Sequence, residues 1–348
     1  MSVRVAHDRL AEFCATVFER AGVPGPVAAI VAENLVYADL RGVGSHGVVR
    51  TDIYLNRVAR GMVDPCAEVR LERDGQCTGL VDGGNNFGAF VGVKALDMAI
   101  DRARRHGVCA LGVKRSNHFG TGAFYAQRAI AQGMALMVFS NASQTMPPTG
   151  GVRPFLGTNP VAIGFPTSRD APFILDMATS LVARGKIIVA AKSGDSIPTG
   201  WAVDRNGDST NDAEAALEGA VLPLGGAKGF GLSMAIDILC GVLSGAGYGP
   251  FVNNMYENWS EPQNVGHFFI ALDIERFLPL GLFTRRLENY IDILKKEPKS
   301  VAVSEILYAG EIEHRLETQR RGKGIELPDQ VAGDLKALGD KYQVGWVI

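Results

Sequence analysis

The sequence lacks the features that mark several common classes of protein. It has no run of about 18 apolar residues that could span a membrane, and its charged first residues, MSVRVAHDRLAEF, lack the apolar core of a signal peptide. The five cysteines are scattered and form no CxxC pair, which argues against a disulfide framework or a zinc site and favours reduced thiols. With 35 basic and 37 acidic residues, the chain has no charge excess for binding nucleic acid or a membrane surface. We therefore expect a cytoplasmic globular protein.

Acidic residues are absent from one long stretch, because no aspartate or glutamate lies between Asp101 and Asp170. The basic residues of that stretch are Arg102, Arg104, Arg105, Lys114, Arg115, Arg128, Arg153 and Arg169. One explanation is that buried strands and glycine turns leave little room for carboxylates. The other is that the region faces an anionic ligand, which carboxylates would repel. The residues alone leave both explanations open.

Apolar periodicity predicts helices near the start of the chain and a sheet after it. Helical spacing marks residues 10–18, a second helix opens at Pro26 and ends at Gly42, and a third is predicted from about 48 to 60. From about 70 to 180, short apolar runs alternate with turns and helical patches, which predicts an α/β region.

The second half of the chain mixes helical patterns with one strong strand pattern. Residues 181–250 are predicted to be mainly helical around a polar loop, IPTGWAVDRNGDST. The apolar HFFIALDI at 267–274 predicts a strand that returns to the sheet. A charged helix is predicted after Gly310.

The stretch GSHGVVRTDIY contains a first group of candidate functional residues. Ser45 could cap the following helix, which would place His46 at a helix N-terminus, where the dipole disfavours the protonated imidazole. Arg50 and Tyr54 follow at one-turn intervals and would share a face with His46. Such a face suits a 2-oxo acid, because arginine binds the carboxylate and histidine protonates the carbonyl oxygen. The alternative is a capped helix with a solvated polar face.

The stretch RSNHFGTGAFYA places His118 at a predicted strand-to-helix turn, a usual ligand position in α/β proteins. Gly120 and Gly122 allow close backbone approach, and the amides of a helix N-terminus suit phosphate. The dinucleotide fingerprint is incomplete, since its sixth position is Tyr125 and no acid follows about 20 residues later. A Rossmann site is therefore disfavoured, while phosphate binding stays open.

Other polar positions follow apolar runs later in the chain. Asp176 could orient a histidine or bind a ligand, or it could be a turn carboxylate. The glycine-rich LPLGGAKGFGLSMAIDIL at 222–239 contains Lys228 but is not a phosphate-binding Walker loop, because glycine follows the lysine. His46 and His118 have no partners at metal-ligand spacing, so no metal is expected.

Six stretches in this order together resemble the second type of malate/L-lactate dehydrogenase family. They are RGVGSHGVVR, SNHFGTGAFYA, LGTNPVAIGFP, ILDMATSLVARGK, GWAVDRNG and LPLGGAKGFGLSMAIDIL. The resemblance covers roughly residues 5 to 347. The family includes ureidoglycolate, sulfolactate and diketogulonate dehydrogenases and the piperideine-2-carboxylate reductases.

The resemblance implies an α/β fold, close to α+β, that is not a Rossmann fold. A mixed or largely antiparallel sheet forms the cofactor lobe, and both chain ends form a helical lobe. The implied division is a helical lobe of residues 1–75 with 285–348, a cofactor lobe of 76–180 with 266–284, and a helical and loop insertion of 181–265 packed on the cofactor lobe. A homodimer with active sites near the subunit interface is also implied.

The resemblance carries roles to individual residues. The proton donor is His46 or His118, with Ser45 or Asp176 as a possible orienting group. Arg50 binds the substrate carboxylate, Tyr54 shares its face, and Thr158 matches a residue near the substrate. The matched cofactor-binding positions are His118, Phe119, Gly120, Thr121, Gly122, Ser140, Asp176, Met177, Ala178, Lys228, Gly229 and Gly310. The last of these lies in AGE at 309–311, where many members have Pro-Gly-Glu.

The implied reaction is hydride transfer between a nicotinamide cofactor and C2 of a small 2-hydroxy or 2-oxo acid, such as malate or lactate. NAD is favoured over NADP. Alternatives within this class are reduction of a cyclic imino acid and oxidation of ureidoglycolate or sulfolactate. A nucleotide-binding protein with a decayed site is an alternative of another class, and the presence of both histidines, Arg50 and Lys228 argues against it.

Overall fold

A seven-stranded sheet lies at the centre of the computed structural model, which describes residues 2–346. The helices are α1 (His7–Arg20), α2 (Gly25–Leu40), α3 (Thr51–Ala59), α4 (Gly88–His106), α5 (Gly122–Ile130), α6 (Arg184–Ser193), α7 (Ala213–Glu218), α8 (Ala227–Asp237), α9 (Leu280–Lys296), α10 (Glu311–Lys323) and α11 (Asp329–Tyr342). The strands are β1 (Ser2–Val5), β2 (Arg70–Asp74), β3 (Thr78–Asp82), β4 (Val108–Ser116), β5 (Met134–Ser140), β6 (Val161–Phe165), β7 (Phe173–Met177), β8 (Ala202–Val203), β9 (Ser209–Thr210), β10 (Ala220–Val221), β11 (Val265–Asp273) and β12 (Ile325–Pro328).

The central sheet has the strand order β2-β3-β4-β11-β5-β6-β7. The β3–β4 pair is parallel, and the other neighbouring pairs are antiparallel. Strand β11 lies between β4 and β5, which confirms the strand predicted at 267–274. This order and the antiparallel pairing differ from the parallel sheet of a Rossmann fold, so the predicted fold class is confirmed.

Both faces of the sheet are covered by other elements, as the buried side chains of β11 show. Phe269 and Ala271 are fully buried in the core shared with α4 and α5. Phe268, on the opposite face, packs with Ile236 of α8 and with Cys240. Successive side chains of a strand point to opposite faces, so the near-continuous apolar pattern of β11 fits a strand covered on both sides.

The two ends of the chain pack together, as predicted. Strand β1 pairs with β12 in antiparallel register. Helices α1, α2 and α11 share a core that contains Leu10, Leu35 and Leu335. Helix α1 is amphipathic, so its buried stripe has to be covered by other helices, and the C-terminal helix supplies part of that cover.

The predicted boundaries of the three parts do not all separate independent structural elements. Strand β2 pairs with β3, so a hairpin crosses the boundary between residues 75 and 76. The boundary between 284 and 285 lies within α9. The division at these residues therefore stays a prediction. No helix within residues 2–346 is long and apolar enough to cross a membrane.

Candidate active site

The segment between α2 and α3 differs from the prediction. Helix α3 begins at Thr51 rather than near Val48, two 3-10 turns precede it, and Ser45 does not cap it. Asp39 explains the difference, because its buried carboxylate accepts a hydrogen bond from the Val48 N–H at 2.8 Å. A Cβ at Gly47 would overlap that carboxylate. The backbone is therefore extended at Gly47, and α3 begins only at Thr51.

Arg50 lies at the end of this segment. Its guanidinium group is held by hydrogen bonds to uncharged groups. Its Nε donates to the Ser45 carbonyl oxygen at 2.7 Å, and its Nη1 donates to the Tyr256 hydroxyl oxygen and to Met255 Sδ at 3.3 Å. The guanidinium carbon lies 5.5 Å from the centre of the Tyr256 ring. Within residues 2–346 Arg50 forms no ion pair with a carboxylate. Its charge is therefore available to an anionic ligand.

The structure brings the two candidate histidines together from distant parts of the chain. The ring centres of His46 and His118 are 5.2 Å apart. The Tyr54 hydroxyl lies 2.6 Å from Nδ1 of His118, and the Gln263 side chain accepts the His118 backbone N–H at 3.1 Å. Within the described residues, the side chain of His46 has a local contact of this kind, between its Nδ1 and Ser45 Oγ at 3.0 Å.

Burial and a nearby cation keep both imidazoles neutral around pH 7. Burial, and then the charge of Arg50, lowers the pKa of His46 to about 4. The same two causes, in the same order, lower the pKa of His118 well below its usual range. Burial raises the pKa of Tyr54, so its phenol stays protonated. The site therefore contains two neutral bases beside an unpaired cation.

The turn from His118 to Gly122 allows other groups to approach its backbone closely. Gly120 has a positive φ of 81°, and a Cβ there would overlap the Asn34 amide. The ring of Phe119 stacks on that of His267 with centres 4.4 Å apart. The Thr121 hydroxyl is buried, and no partner for it occurs in the described part of the chain. An orphaned buried hydroxyl at this turn fits a bound polar ligand.

Asp176 caps α5 rather than contacting an imidazole. Its Oδ2 accepts the Ala123 N–H at 2.8 Å, at the helix N-terminus that the sequence offers to phosphate. In residues 2–346 no hydrogen bond joins Asp176 to His46 or to His118. The carboxylate already interacts with the positive end of the helix dipole, so this N-terminus is poorly suited to a phosphate group.

Several of the remaining matched positions lie along and beyond β7. Thr179 donates to the Thr158 carbonyl oxygen, and its own carbonyl accepts the Leu224 N–H at 2.9 Å. This contact brings the glycine-rich turn of Gly229 and the exposed Lys228 beside the end of β7. Gly310, with φ at 93°, packs against Ile174 of β7. Ser140 lies on β5, where its Oγ is 2.9 Å from Nδ1 of His267.

Ion pairs account for most of the basic residues in the stretch without acidic residues. Six of its eight basic residues pair with carboxylates that lie outside the stretch. The pairs are Arg102–Asp74, Arg104–Asp101, Lys114–Glu72, Arg115–Asp82, Arg128–Glu33 and Arg169–Asp292. These charges are engaged within the protein, which favours the explanation from packing over that from an anionic ligand.

Several residues of the site carry no signal in the sequence. Met255, Tyr256 and Gln263 belong to an irregular segment about 200 residues after Arg50, and Asp39 ends an apolar helix. Neither periodicity nor a motif marks them, because their contacts arise only when distant segments meet. In residues 2–346 no three His, Cys, Asp or Glu side chains are grouped so that they could hold a metal ion.

Comparisons with known proteins agree over nearly the whole chain. Residues 5–336 match the family model of malate/L-lactate dehydrogenase. Malate dehydrogenase of Pyrococcus horikoshii is 39% identical over 98% of this chain and 96% of its own. The crystal structure of malate dehydrogenase from Entamoeba histolytica superposes with a TM-score of 0.95 at 31% identity, over 99% of each chain.

Relatives with different named cofactors are also similar. Ureidoglycolate dehydrogenase (NAD(+)) of Escherichia coli is 32% identical over 94% of each chain. The (2R)-3-sulfolactate dehydrogenase (NADP(+)) of Chromohalobacter salexigens is 33% identical over 92% of this chain and 93% of its own.

Proposed function

The chain belongs to the malate/L-lactate dehydrogenase family, and we propose that it transfers a hydride between NAD and C2 of a small 2-hydroxy or 2-oxo acid. The observation that carries this proposal is the convergence of Arg50, His46 and His118. Arg50, which has no carboxylate partner within residues 2–346, lies beside two neutral imidazoles. This arrangement is what a substrate with a carboxylate and an adjacent hydroxyl or carbonyl group requires.

Arg50 binds the substrate carboxylate. The Tyr256 hydroxyl oxygen accepts from Arg50 Nη1, so the hydroxyl proton of Tyr256 is free to donate to the same carboxylate. Such charge-assisted hydrogen bonds fix both the position and the orientation of a small acid. Binding also neutralises the charge that lowers the pKa of His118, so substrate binding raises that pKa.

His118 exchanges the proton with the substrate oxygen. Its backbone is held by Gln263 and its ring by Tyr54, which come from separate parts of the chain, whereas the hydrogen bonds described for His46 are local, from its ring to Ser45 and from its backbone N–H to Val43. When Nδ1 of His118 donates to the Tyr54 oxygen, Nε2 is left to take the hydroxyl proton of a 2-hydroxy acid. The ring of His46 lines the same site.

The residues around the turn at 118–122 and the end of β7 fit a dinucleotide. The unpartnered hydroxyl of Thr121, the small residues Gly120 and Ala178, and exposed Lys228 would hold it. When bound, the cofactor donates or accepts the hydride. Preference for NAD is part of the proposal, and it is supported by the ion pairs described above, which engage six of the eight basic residues in the stretch without acidic residues.

A homodimer is part of this proposal. Apolar side chains along α8 and the π-helical turn that follows it at Ile238–Val242 are exposed in the single chain. They are Leu232, Met234, Ile238, Val242 and Leu243. An exposed apolar face of this kind favours association. A wild-type protein that sediments as a monomer would contradict the dimer. A cytoplasmic location stays a prediction.

The test is turnover of a small panel with NADH and NADPH, followed at about 340 nm, where the reduced nicotinamide of the cofactor absorbs. The panel contains pyruvate, oxaloacetate, sulfopyruvate, diketogulonate and piperideine-2-carboxylate, and ureidoglycolate is tested in the oxidation direction with NAD+ and NADP+ as hydride acceptors. Turnover of a 2-oxo acid supports the proposal. Turnover of piperideine-2-carboxylate alone would replace it with reduction of a cyclic imine. Nucleotide binding without any turnover would contradict the proposed substrate class.

A further inference from the structure

Arg57 is a buried cation without a carboxylate partner. It is 1% exposed, and it forms no ion pair within the part of the chain that the structure describes. Burial lowers the pKa of its guanidinium. A buried charge is costly unless other groups compensate it. The groups that accept hydrogen bonds from this guanidinium therefore indicate which part of the protein the side chain holds in place.

The partners of Arg57 all come from one irregular segment, residues 255–263. Its Nη1 donates to the carbonyl oxygens of Met255 and Asn258, each at 3.0 Å, and its Nη2 donates to that of Glu261 at 3.4 Å. The guanidinium carbon lies 5.6 Å from the centre of the Trp259 ring. This segment is neither helix nor strand, so Arg57 supplies hydrogen bonds that secondary structure does not.

The same segment contacts both candidate groups of the active site. Its Met255 and Tyr256 side chains accept from Arg50, and its Gln263 side chain accepts from the His118 backbone. Arg57 itself lies one helical turn after Tyr54, which contacts the ring of His118. One buried guanidinium is thus joined to Arg50 and to His118 through a single segment.

We propose that Arg57 is a positioning residue that holds segment 255–263 and thereby sets the placement of Arg50 relative to His118. The inference rests on the proposed function, because it assigns those two groups to the carboxylate and the reacting oxygen of the substrate. Loss of the guanidinium frees the segment, so the carboxylate binds in the wrong place. Small displacements of a bound reactant are costly in rate.

The variants are Arg57→Met, which keeps the apolar volume, and Arg57→Lys, which keeps the charge but reaches fewer carbonyl groups. The matched control is Arg60→Met. Arg60 stacks on the same Trp259 ring with its guanidinium carbon 4.1 Å from the ring centre, but it is exposed. The measurements are KM and kcat with oxaloacetate and NADH, NADH affinity by fluorescence, and hydrogen exchange of the peptide containing 255–263.

Arg57→Met is expected to raise KM for oxaloacetate about tenfold or more and to speed hydrogen exchange in 255–263, with NADH affinity unchanged. Arg57→Lys lies between Arg57→Met and wild type, and it replaces Arg57→Met if that variant does not fold. Arg60→Met behaves as wild type. A KM within twofold of wild type with unchanged exchange overturns the inference, and so does an equal loss of NADH affinity, which a general loss of structure produces.

Failure of the proposed function has a different signature. A wild-type enzyme that reduces no compound of the panel contradicts that function and leaves hydrogen exchange to decide whether Arg57 holds the segment. Unchanged exchange in both Arg57 variants then overturns the inference on its own.

Discussion

The hydroxyl of Tyr54 lies 2.6 Å from Nδ1 of His118, although 64 positions separate the two residues. Tyr54 is buried on α3 and His118 follows β4, so the contact exists only because the helical part of the chain packs on the sheet. It selects one imidazole nitrogen for the hydrogen bond and leaves the other to react. Nδ1 of His46 has a hydroxyl partner too, but that partner is the adjacent Ser45, so the contact between distant parts of the chain distinguishes His118 from His46.

His118→Asn is expected to lower kcat by about 100-fold or more, because general acid–base catalysis typically contributes that much. NADH affinity, measured by fluorescence, is expected to fall by a much smaller factor than kcat. Tyr54→Phe keeps the buried ring, removes the orienting hydroxyl, and lowers kcat by a smaller factor. His46→Asn is the comparison variant. A larger loss of kcat in His46→Asn than in His118→Asn would reverse the assignment of the two histidines.

Arg50→Ala is expected to raise KM for every 2-oxo acid that the enzyme reduces by about 100-fold, since a charge-assisted pair with a carboxylate is lost. Tyr256→Phe removes only one neutral donor and raises KM by about threefold to tenfold. Steady-state kinetics with saturating NADH measure both. Arg60→Met also removes one positive charge and is the control at the opposite end of α3. An unchanged KM in Arg50→Ala would remove the carboxylate role.

We expect kcat/KM to depend on pH for the reduction reaction but not for the oxidation reaction. Burial and Arg50 hold the pKa of His118 well below its usual range, so the neutral base required for oxidation is fully present from about pH 6 to 9. The kcat/KM for oxidation is therefore flat over this range. The kcat/KM for reduction falls about tenfold per pH unit, since the protonated form becomes rarer. Initial rates in both directions measure this, and a bend in the oxidation profile near neutral pH would contradict it.

Asp39→Asn is expected to raise the free energy of unfolding relative to wild type by an amount that depends on pH. Burial raises the pKa of Asp39 from 3.8 to about 7. Between those values the folded state holds the proton more tightly than the unfolded state, so the stability that this group contributes is lost as pH rises from about 4 to 7. Asparagine keeps the acceptor for Val48 and does not ionise.

The free energy of unfolding of Asp39→Asn, relative to wild type, should therefore increase from pH 5 to pH 7 by at most about 1.4 kcal/mol per pH unit. Above pH 7 it should level off. Denaturant unfolding at several pH values measures the difference. A difference that does not change with pH would mean that the carboxylate ionises as readily in the folded protein as in the unfolded one.

The sequence by itself determined the features that depend on local pattern. Helix α1 follows from apolar periodicity, α2 from its opening proline and closing glycine, and β11 from its apolar run, because these patterns act within one element. The incomplete dinucleotide fingerprint argues correctly against a Rossmann fold. Ordered motifs containing His46, Arg50 and His118 indicate the family.

Only the tertiary structure decided how those motifs meet. The start of α3 depends on the carboxylate of Asp39 under Gly47, and the N-terminus of α5 is taken by Asp176. The basic residues of the stretch without acids find their partners outside it, as Arg115 does with Asp82. Segment 255–263 has no sequence pattern of its own, and three of its carbonyl groups accept hydrogen bonds from the buried guanidinium of Arg57. Each of these outcomes depends on burial and on partners far along the chain, and a one-dimensional pattern contains neither.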